Sequence, residues 1–518
     1  MNTKLTTPPS KQKENLRQRA YLNSLTSFID YVGGQIVGFI VSPFIVGGLG
    51  SSMYGMWQML SQMTGFANIA DTRATQVLKW SIAQKRDLAS DQELKSDLTT
   101  ALVVTTFILP IILIIGSVII WYAPNITHAA PEYHNIIRIA CSLLLLTLIT
   151  SKVFDLFESV IRGMNMGYKR MGFRAGIIFL AGGLKVFAIT QGYGLIGLST
   201  VEFFTALLIG TTFYYIVKKN IPWFGFAKTN TSKIISYSRL SGWFMASTGS
   251  KMFLLSSDKL LLGYLAGPVF VTKYAITLFT SYALQGLITA VVNGVIPGMG
   301  GLFGKGEYNK VQRARKMIMI LNWVLTASLG VAILLYNRSF ISLWVGEEHY
   351  AGNTENLLIL LIAVQAIFFQ IDSLIINVSL DLKMKVYISV LASAITISMS
   401  FFLIEHYQII GLCISILVGR LVLSVGYPLL LGRVMHMQVN FTEWKQFQPI
   451  LITALLFALA THIGQSILIT NWVSLIAIGV LSVPAVGIIF WLVGLRREER
   501  EIVKELTSKI ELFKRDDN

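Results

Sequence analysis

Charge is what this sequence has least of. Only 14% of its 518 residues are Asp, Glu, Lys or Arg, against roughly 25% in a soluble globular protein. A soluble fold of this length needs a charged surface, and too few charges exist to make one. Most of the surface must therefore face lipid. Cysteine is nearly absent: Cys141 and Cys413 each lie in an apolar stretch. That excludes a disulfide framework or a zinc spacing and leaves two small buried hydrophobes. The six histidines are scattered, and no HExxH, GxSxG or His/Cys cluster occurs. Gly304-Lys305-Gly306 has no Ser or Thr after the lysine and no strand before it, so it reads as a turn rather than a nucleotide loop. Nothing supports an enzyme, a metal site or a bound cofactor. The first twenty residues are polar and basic, without the short apolar core of a signal peptide.

Long apolar runs are what the chain does have. A hydrocarbon core of about 30 Å takes about twenty apolar residues per helix. On that scale spans fall near 24–48, 52–70, 99–122, 136–160, 172–190 and 195–217. A second set lies near 240–265, 269–297, 317–336, 355–380, 387–405 and 409–432, with two more near 449–468 and 474–495. The expectation is an all-α polytopic membrane protein of about fourteen transmembrane helices. The net charge of +16 sorts by loop rather than forming one patch, which argues against nucleic acid. With the N-terminus inside, every second loop should hold the Lys and Arg. Lys85 and Arg86, Lys169 and Arg170, Lys218 and Lys219, Arg313 and Arg315, and Lys383 and Lys385 all fall in inside segments. The outside segments near 123–135, 191–194, 337–354, 406–408 and 469–473 hold only Arg338. Both termini are thus expected in the cytoplasm, with an amphipathic helix over 496–518 lying against the membrane.

The first six helices and the next six read as copies. LGSSMYGMW at Leu49–Trp57 matches AGPVFVTKY at Ala266–Tyr274, with Gly50 opposite Gly267 at an offset of 217. YGLIGL at Tyr193–Leu198 matches YQIIGL at Tyr407–Leu412 at an offset of 214. An even number of helices per copy keeps both in one orientation, giving parallel lobes with a substrate site between them. The division is a cytoplasmic tail over 1–20, lobes over 21–220 and 235–435, two further helices over 447–495, and the tail over 496–518.

Ionisable residues inside the spans are costly in hydrocarbon and point to a polar cavity or a partner. Depth at 1.5 Å per residue puts Lys185, Lys251 and Arg420 near mid-membrane, with Arg138, Glu202 and Asp258 toward the outer face. Facing a cleft, Lys251, Arg420, Lys185 and Arg138 form a positive field suited to a diphosphate; the alternative is pairing with Glu202, Asp258 or a carbonyl. Asp258, Asp372, Asp30, Lys152, Asp155 and Glu158 are the candidate coupling or gating residues. Lys152 and Asp155 are three apart and Glu158 and Arg162 four apart, so each pair can meet on one helix face as a charge network. Lys251 and Asp258, seven apart, share a face of a continuous seventh helix.

Four segments carry a family resemblance: PFIVGGLGSSMYGMW at 43–57, SSDKLLLGYLAGPVFVTKYA at 256–275, PGMGGLFGKGEYNK at 297–310 and FISLWVGEEHYAG at 340–352. They resemble the Wzx-type polysaccharide flippases, the polysaccharide transporter branch of the multidrug/oligosaccharidyl-lipid/polysaccharide (MOP) exporter superfamily. The resemblance implies two six-helix lobes around a cationic cavity in the bacterial inner membrane. It implies translocation of an undecaprenyl-diphosphate-linked oligosaccharide between leaflets; the alternatives are a cation-coupled multidrug or metabolite exporter of the MATE type and a lipid II flippase, and Asp258 or Asp372 is the candidate site for proton or Na⁺ coupling. Its partners would be that lipid-linked oligosaccharide, membrane lipids, a polysaccharide polymerase and a chain-length regulator.

Overall fold

The computed structural model describes residues 10–70, 74–85, 89–170, 172–379, 383–436 and 447–501. The secondary structure of these residues is helical, with no strand among them. Residues 502–518 lie outside them, so most of the expected amphipathic tail does too. Ten of the described helices are long and apolar enough to cross a membrane, as a multi-pass membrane protein requires.

Two elements are far longer than a bilayer. Helix α1 (Ser10–Phe66) has 57 residues and α12 (Lys383–Val434) has 52, whereas about twenty suffice for one crossing. Each is two crossings joined at one residue that leaves helical geometry, Gly50 (φ 74°, ψ 165°) in α1 and Gln408 (φ 43°, ψ −115°) in α12. The spans read separately from the sequence at 24–48 and 52–70, and at 387–405 and 409–432, are the arms of these two elements.

The joints bear on the internal repeat. Gly267 (φ 98°, ψ 163°), between α8 (Asp258–Ala266) and α9 (Pro268–Gly304), has nearly the backbone conformation of its matched Gly50. That region is open essentially to glycine alone. Gly194, which opens α6 (Gly194–Asn220), has φ 55°, and its counterpart Gln408 has φ 43°. One half thus meets the left-handed turn with glycine and the other with a side chain that resists it. Gln408→Gly is expected to stabilise the protein by about 1 kcal/mol, and Gly267→Ala to destabilise it by about 1–3 kcal/mol. Thermal unfolding in detergent measures both; equal shifts for the two variants would contradict the assignment.

The chain divides into two compact units, Met1–Met252 and Phe253–Asn518. Unit 1 holds α1, α2 (Ala74–Lys85), α3 (Asp91–Ile126), α4 (His134–Gly163), α5 (Phe173–Thr190), α6 and most of α7 (Thr231–Leu255). Its core joins Leu78 and Ile82 of α2 with Leu98 of α3, Val160 of α4 and Val217 of α6. Unit 2 holds α8, α9, α10 (Tyr308–Trp344), α11 (Asn353–Ser379), α12, α13 (Phe447–Gly464) and α14 (Trp472–Ile489). Leu284, Val331, Leu360, Leu423 and Phe457 meet in its core. The two last helices, outside the repeat by sequence, both pack on α10.

The outer surface of these helices is apolar. Phe107, Ile114 and Trp121 on α3, Phe402 on α12 and Leu481 on α14 are all mostly exposed. In lipid, helix packing has no hydrophobic drive of its own and rests on close fit and internal hydrogen bonds. Ser42, Thr205 and Ser415 accordingly return their hydroxyl protons to the carbonyls of Gly38, Val201 and Gly411. Each of these three hydroxyls is thereby satisfied within its own helix.

Candidate functional site

In unit 2 Arg420 stands eleven residues past Ile409 on the second arm of α12, or about 17 Å along the helix and near the middle of that arm. It is 6% exposed and sits over the Phe369 ring at 5.9 Å. Asp258, Tyr274 and Tyr282 interact with it electrostatically. The Tyr274 hydroxyl donates to Asp258 Oδ2 at 2.9 Å. Asp258 lies in the first turn of α8, where the helix dipole favours a carboxylate. Arg420, Asp258 and Tyr274 are therefore buried polar groups that act on one another, with the more exposed Tyr282 beside them. A guanidinium remains charged at any physiological pH and presents a planar fork that fits phosphate oxygens.

One expectation fails here. A continuous seventh helix is needed to put Lys251 and Asp258 on one face, but α7 ends at Leu255 and α8 begins at Asp258. At the break the Ser257 hydroxyl donates to the Phe253 carbonyl at 2.6 Å. The helical spacing rule does not carry across that break. The Lys251 side chain itself lies outside the described residues.

Asp372 on α11 belongs to a different arrangement from Asp258. It is buried and receives a two-pronged ion pair from Arg315 on α10, Nε to Oδ1 at 2.5 Å and Nη2 to Oδ2 at 2.8 Å. Nearby in sequence, Lys385 donates to Asn377 Oδ1 at 2.6 Å and to the Ser373 carbonyl at 3.0 Å. These bonds tie α10 to α11 and α11 to α12.

In unit 1, Lys185 pairs with Glu202 across α5 and α6, Nζ to Oε1 at 2.6 Å. Lys185 stands five residues before α5 ends at Thr190, about 8 Å from that terminus. The Arg138 guanidinium stacks over the Trp121 ring at 4.9 Å. Lys152 and Asp155 approach to 4.0 Å on α4. Glu158 is the hub of a larger group. Its Oε1 accepts from Arg162 Nε at 2.9 Å and from Arg170 Nη1 at 2.5 Å, and lies 3.7 Å from Arg174 Nη1. Asp30 Oδ2 on α1 faces Arg170 Nη2 at 3.3 Å and Arg174 Nη1 at 4.0 Å. The network expected between neighbours on α4 thus extends to α1 and the start of α5.

A further charged centre escaped sequence reasoning. Asp97 on α3 is fully buried and accepts from Ser81 at 2.5 Å and Lys85 at 3.2 Å, and it pairs with Lys233 at the start of α7. Burial alone lowers the pKa of the Lys85 ammonium, but its hydrogen bond to Glu93 and the charge of Asp97 outweigh that and hold it above the usual lysine range. The Ala227 amide donates to Thr99 Oγ1 at 3.1 Å, and Thr100 and Thr229 share a bond of 2.5 Å. The linker at 221–230 is therefore strapped onto α3. The signal was available: Leu94, Asp97, Leu98 and Ala101 form one helical stripe, and its other members are buried.

Solved structures with the same arrangement of helices give the comparison. The lipid II flippase MurJ in an inward closed conformation aligns over 90% of this chain and 98% of its own, with a TM-score of 0.65 and 13% identity. An inward-facing multidrug resistance MATE transporter of the MOP superfamily aligns over 80% and 96%, with a TM-score of 0.59 and 11% identity. A MATE transporter in complex with MaL6 aligns over 82% and 98%, with a TM-score of 0.56 and 15% identity. No family model and no curated protein sequence matches the chain. The fold is that of the MOP exporters, the MATE/MurJ-like arrangement.

Proposed function

We propose that the chain is a flippase for undecaprenyl-diphosphate-linked oligosaccharide, moving repeat units from the cytoplasmic to the periplasmic leaflet by alternating access. In this reading it lies in a bacterial inner membrane with both termini in the cytoplasm. It serves the assembly of a surface polysaccharide: O-antigen, capsule or exopolysaccharide. The observation that carries the reading is Arg420, a permanent cation held mid-span within a buried polar group of unit 2. Keeping a guanidinium there is costly unless it serves a substrate or ion path. A lipid diphosphate is the anion whose headgroup must cross that depth, and Arg is the side chain best shaped to take its oxygens. Lys251 is the second cation proposed to meet the diphosphate. A polymerase and a chain-length regulator are the proposed protein partners.

Asp258 is the proposed coupling residue, because it is a carboxylate within the Arg420 group; the carrier is a proton or Na⁺. Asp372 is assigned a structural role, since Arg315 occupies both its oxygens. The likeness to MurJ over 90% of the chain favours a second reading, a flippase for lipid II, whose headgroup is also a lipid diphosphate. A MATE-type drug exporter is the third reading. Deleting the gene separates the three. Loss of surface glycan with normal growth and drug tolerance is the expected result. Drug sensitivity with intact glycan would indicate an exporter, and loss of viability with a peptidoglycan lesion would indicate a lipid II flippase.

A further inference from the structure

The arginine group of unit 1 is unbalanced. Among the described residues, Arg162, Arg170 and Arg174 pair with Glu158 and Asp30, three guanidiniums against two carboxylates at the end of α4 and the start of α5. The two carboxylates hold the inner parts of the group: Arg170 is 3% exposed, and all three guanidiniums converge on the single oxygen Glu158 Oε1. The Nε–H donors of Arg170 and Arg174 are buried without a hydrogen-bond acceptor. The outer parts remain accessible, with Arg162 43% and Arg174 34% exposed.

A second, independent feature lies in the same place. Helix α5 is 18 residues long and starts at Phe173 behind Gly172, with no side-chain cap and no acidic residue in its first turn. The free amides of such a terminus carry about half a positive charge and bind anions readily. Arg174 belongs to that first turn. One face of unit 1 thus combines two accessible guanidiniums, orphaned guanidinium donors and an uncapped helix N-terminus. A phosphate, with three or more oxygens, has acceptors for both accessible guanidiniums and for the helix amides.

We propose that Arg162, Arg174 and the N-terminus of α5 form a phosphate-binding site at the membrane face where α4 ends and α5 begins, with Arg170 held behind it by Glu158 and Asp30. Its ligand is a phosphate group, brought by a lipid headgroup at that leaflet or by a soluble phosphate. The site is separate from Arg420, and its existence does not depend on the transport reading.

The test uses the purified full-length protein in phosphatidylcholine nanodiscs, with binding read by native mass spectrometry and thermal shift. One arm adds phosphatidylglycerol or undecaprenyl diphosphate; the other adds inorganic phosphate or diphosphate. Wild type is compared with Arg162→Gln/Arg174→Gln and with Arg174→Lys; Arg170 still pairs Glu158 and Asp30 in each, and thermal stability without ligand is read beside binding to show that each variant is folded. Binding in the lipid arm, weakened about tenfold or more in the double variant, identifies a headgroup site. The same pattern in the soluble arm identifies a soluble phosphate site. Arg174→Lys should recover part of the affinity but not the fork geometry. Binding in both arms that is unchanged in the double variant, or no binding in either arm to a folded protein, overturns the proposal.

Discussion

Arg315→Ala is expected to cost unit 2 about 3–5 kcal/mol, a large part of the margin of any folded domain. Asp372 is almost completely buried, and both of its oxygens are taken by Arg315, one by Nε and one by Nη2. Removing the guanidinium strands a carboxylate among Ile371, Ile375 and Val311 in the unit's core. The loss of the attraction is smaller than this stranding penalty. Asp372→Ala is expected to be as damaging, for the mirror-image reason. Replacing both partners, Arg315→Met with Asp372→Leu, should recover most of the loss, because no charge then remains to be desolvated. Fluorescence-detected gel filtration after a heat step measures all three. Single variants within about 1 kcal/mol of wild type, the size of an exposed pair, would show that the pair is hydrated and not the clasp between α10 and α11.

Arg420→Ala is expected to lower transport at least about 100-fold while the protein still inserts. A guanidinium that makes two charge-assisted bonds to a diphosphate contributes about 3 kcal/mol or more, and each 1.4 kcal/mol is a factor of ten. The loss should fall on transport rather than on folding, because Asp258 retains the Tyr274 hydroxyl at 2.9 Å and the dipole of α8 when the arginine is gone. Arg420→Lys keeps the charge but loses the planar fork, so an intermediate rate is expected. Lys251→Ala is expected to act in the same direction. Normal transport by a folded Arg420→Ala protein would remove this residue from the mechanism and leave it a purely structural cation.

Much of the fold was legible because the bilayer enforces it. Each crossing must be a run of about twenty apolar residues, and a helix is the form that satisfies its own backbone in lipid. The offset glycines marked the repeat because their backbone conformation excludes other residues, as the shared geometry of Gly50 and Gly267 makes plain. Helix α2 was not legible. Its sequence ATQVLKWSIAQK is too short and too polar to register as a crossing, and it is held in place by burying Val77, Leu78 and Ile82 against other helices. The break at Ser256-Ser257 was hidden too, since a two-residue bend leaves the apolar run around it unchanged.

The charge partners divide along the same line. Spacing rules reach a neighbour three or four residues away, and they found Glu158 with Arg162 and Lys152 with Asp155. They have no reach to Arg315 and Asp372, 57 residues apart, or to Asp30 and Arg170 on separate elements. Such pairs are made by tertiary packing, and no local pattern encodes them. Lys185 and Glu202 were accessible only as one alternative, because both lie in the paired helices of one hairpin.

The most direct test of the central claim is reconstitution of the purified chain in liposomes holding a fluorescent undecaprenyl-diphosphate oligosaccharide, with movement between leaflets read by quenching from outside. The account predicts rapid translocation that depends on a proton or Na⁺ gradient, at least about 100-fold slower in Arg420→Ala. A chain that moves no lipid diphosphate under any gradient, while expelling a cationic drug from the same liposomes, would contradict it.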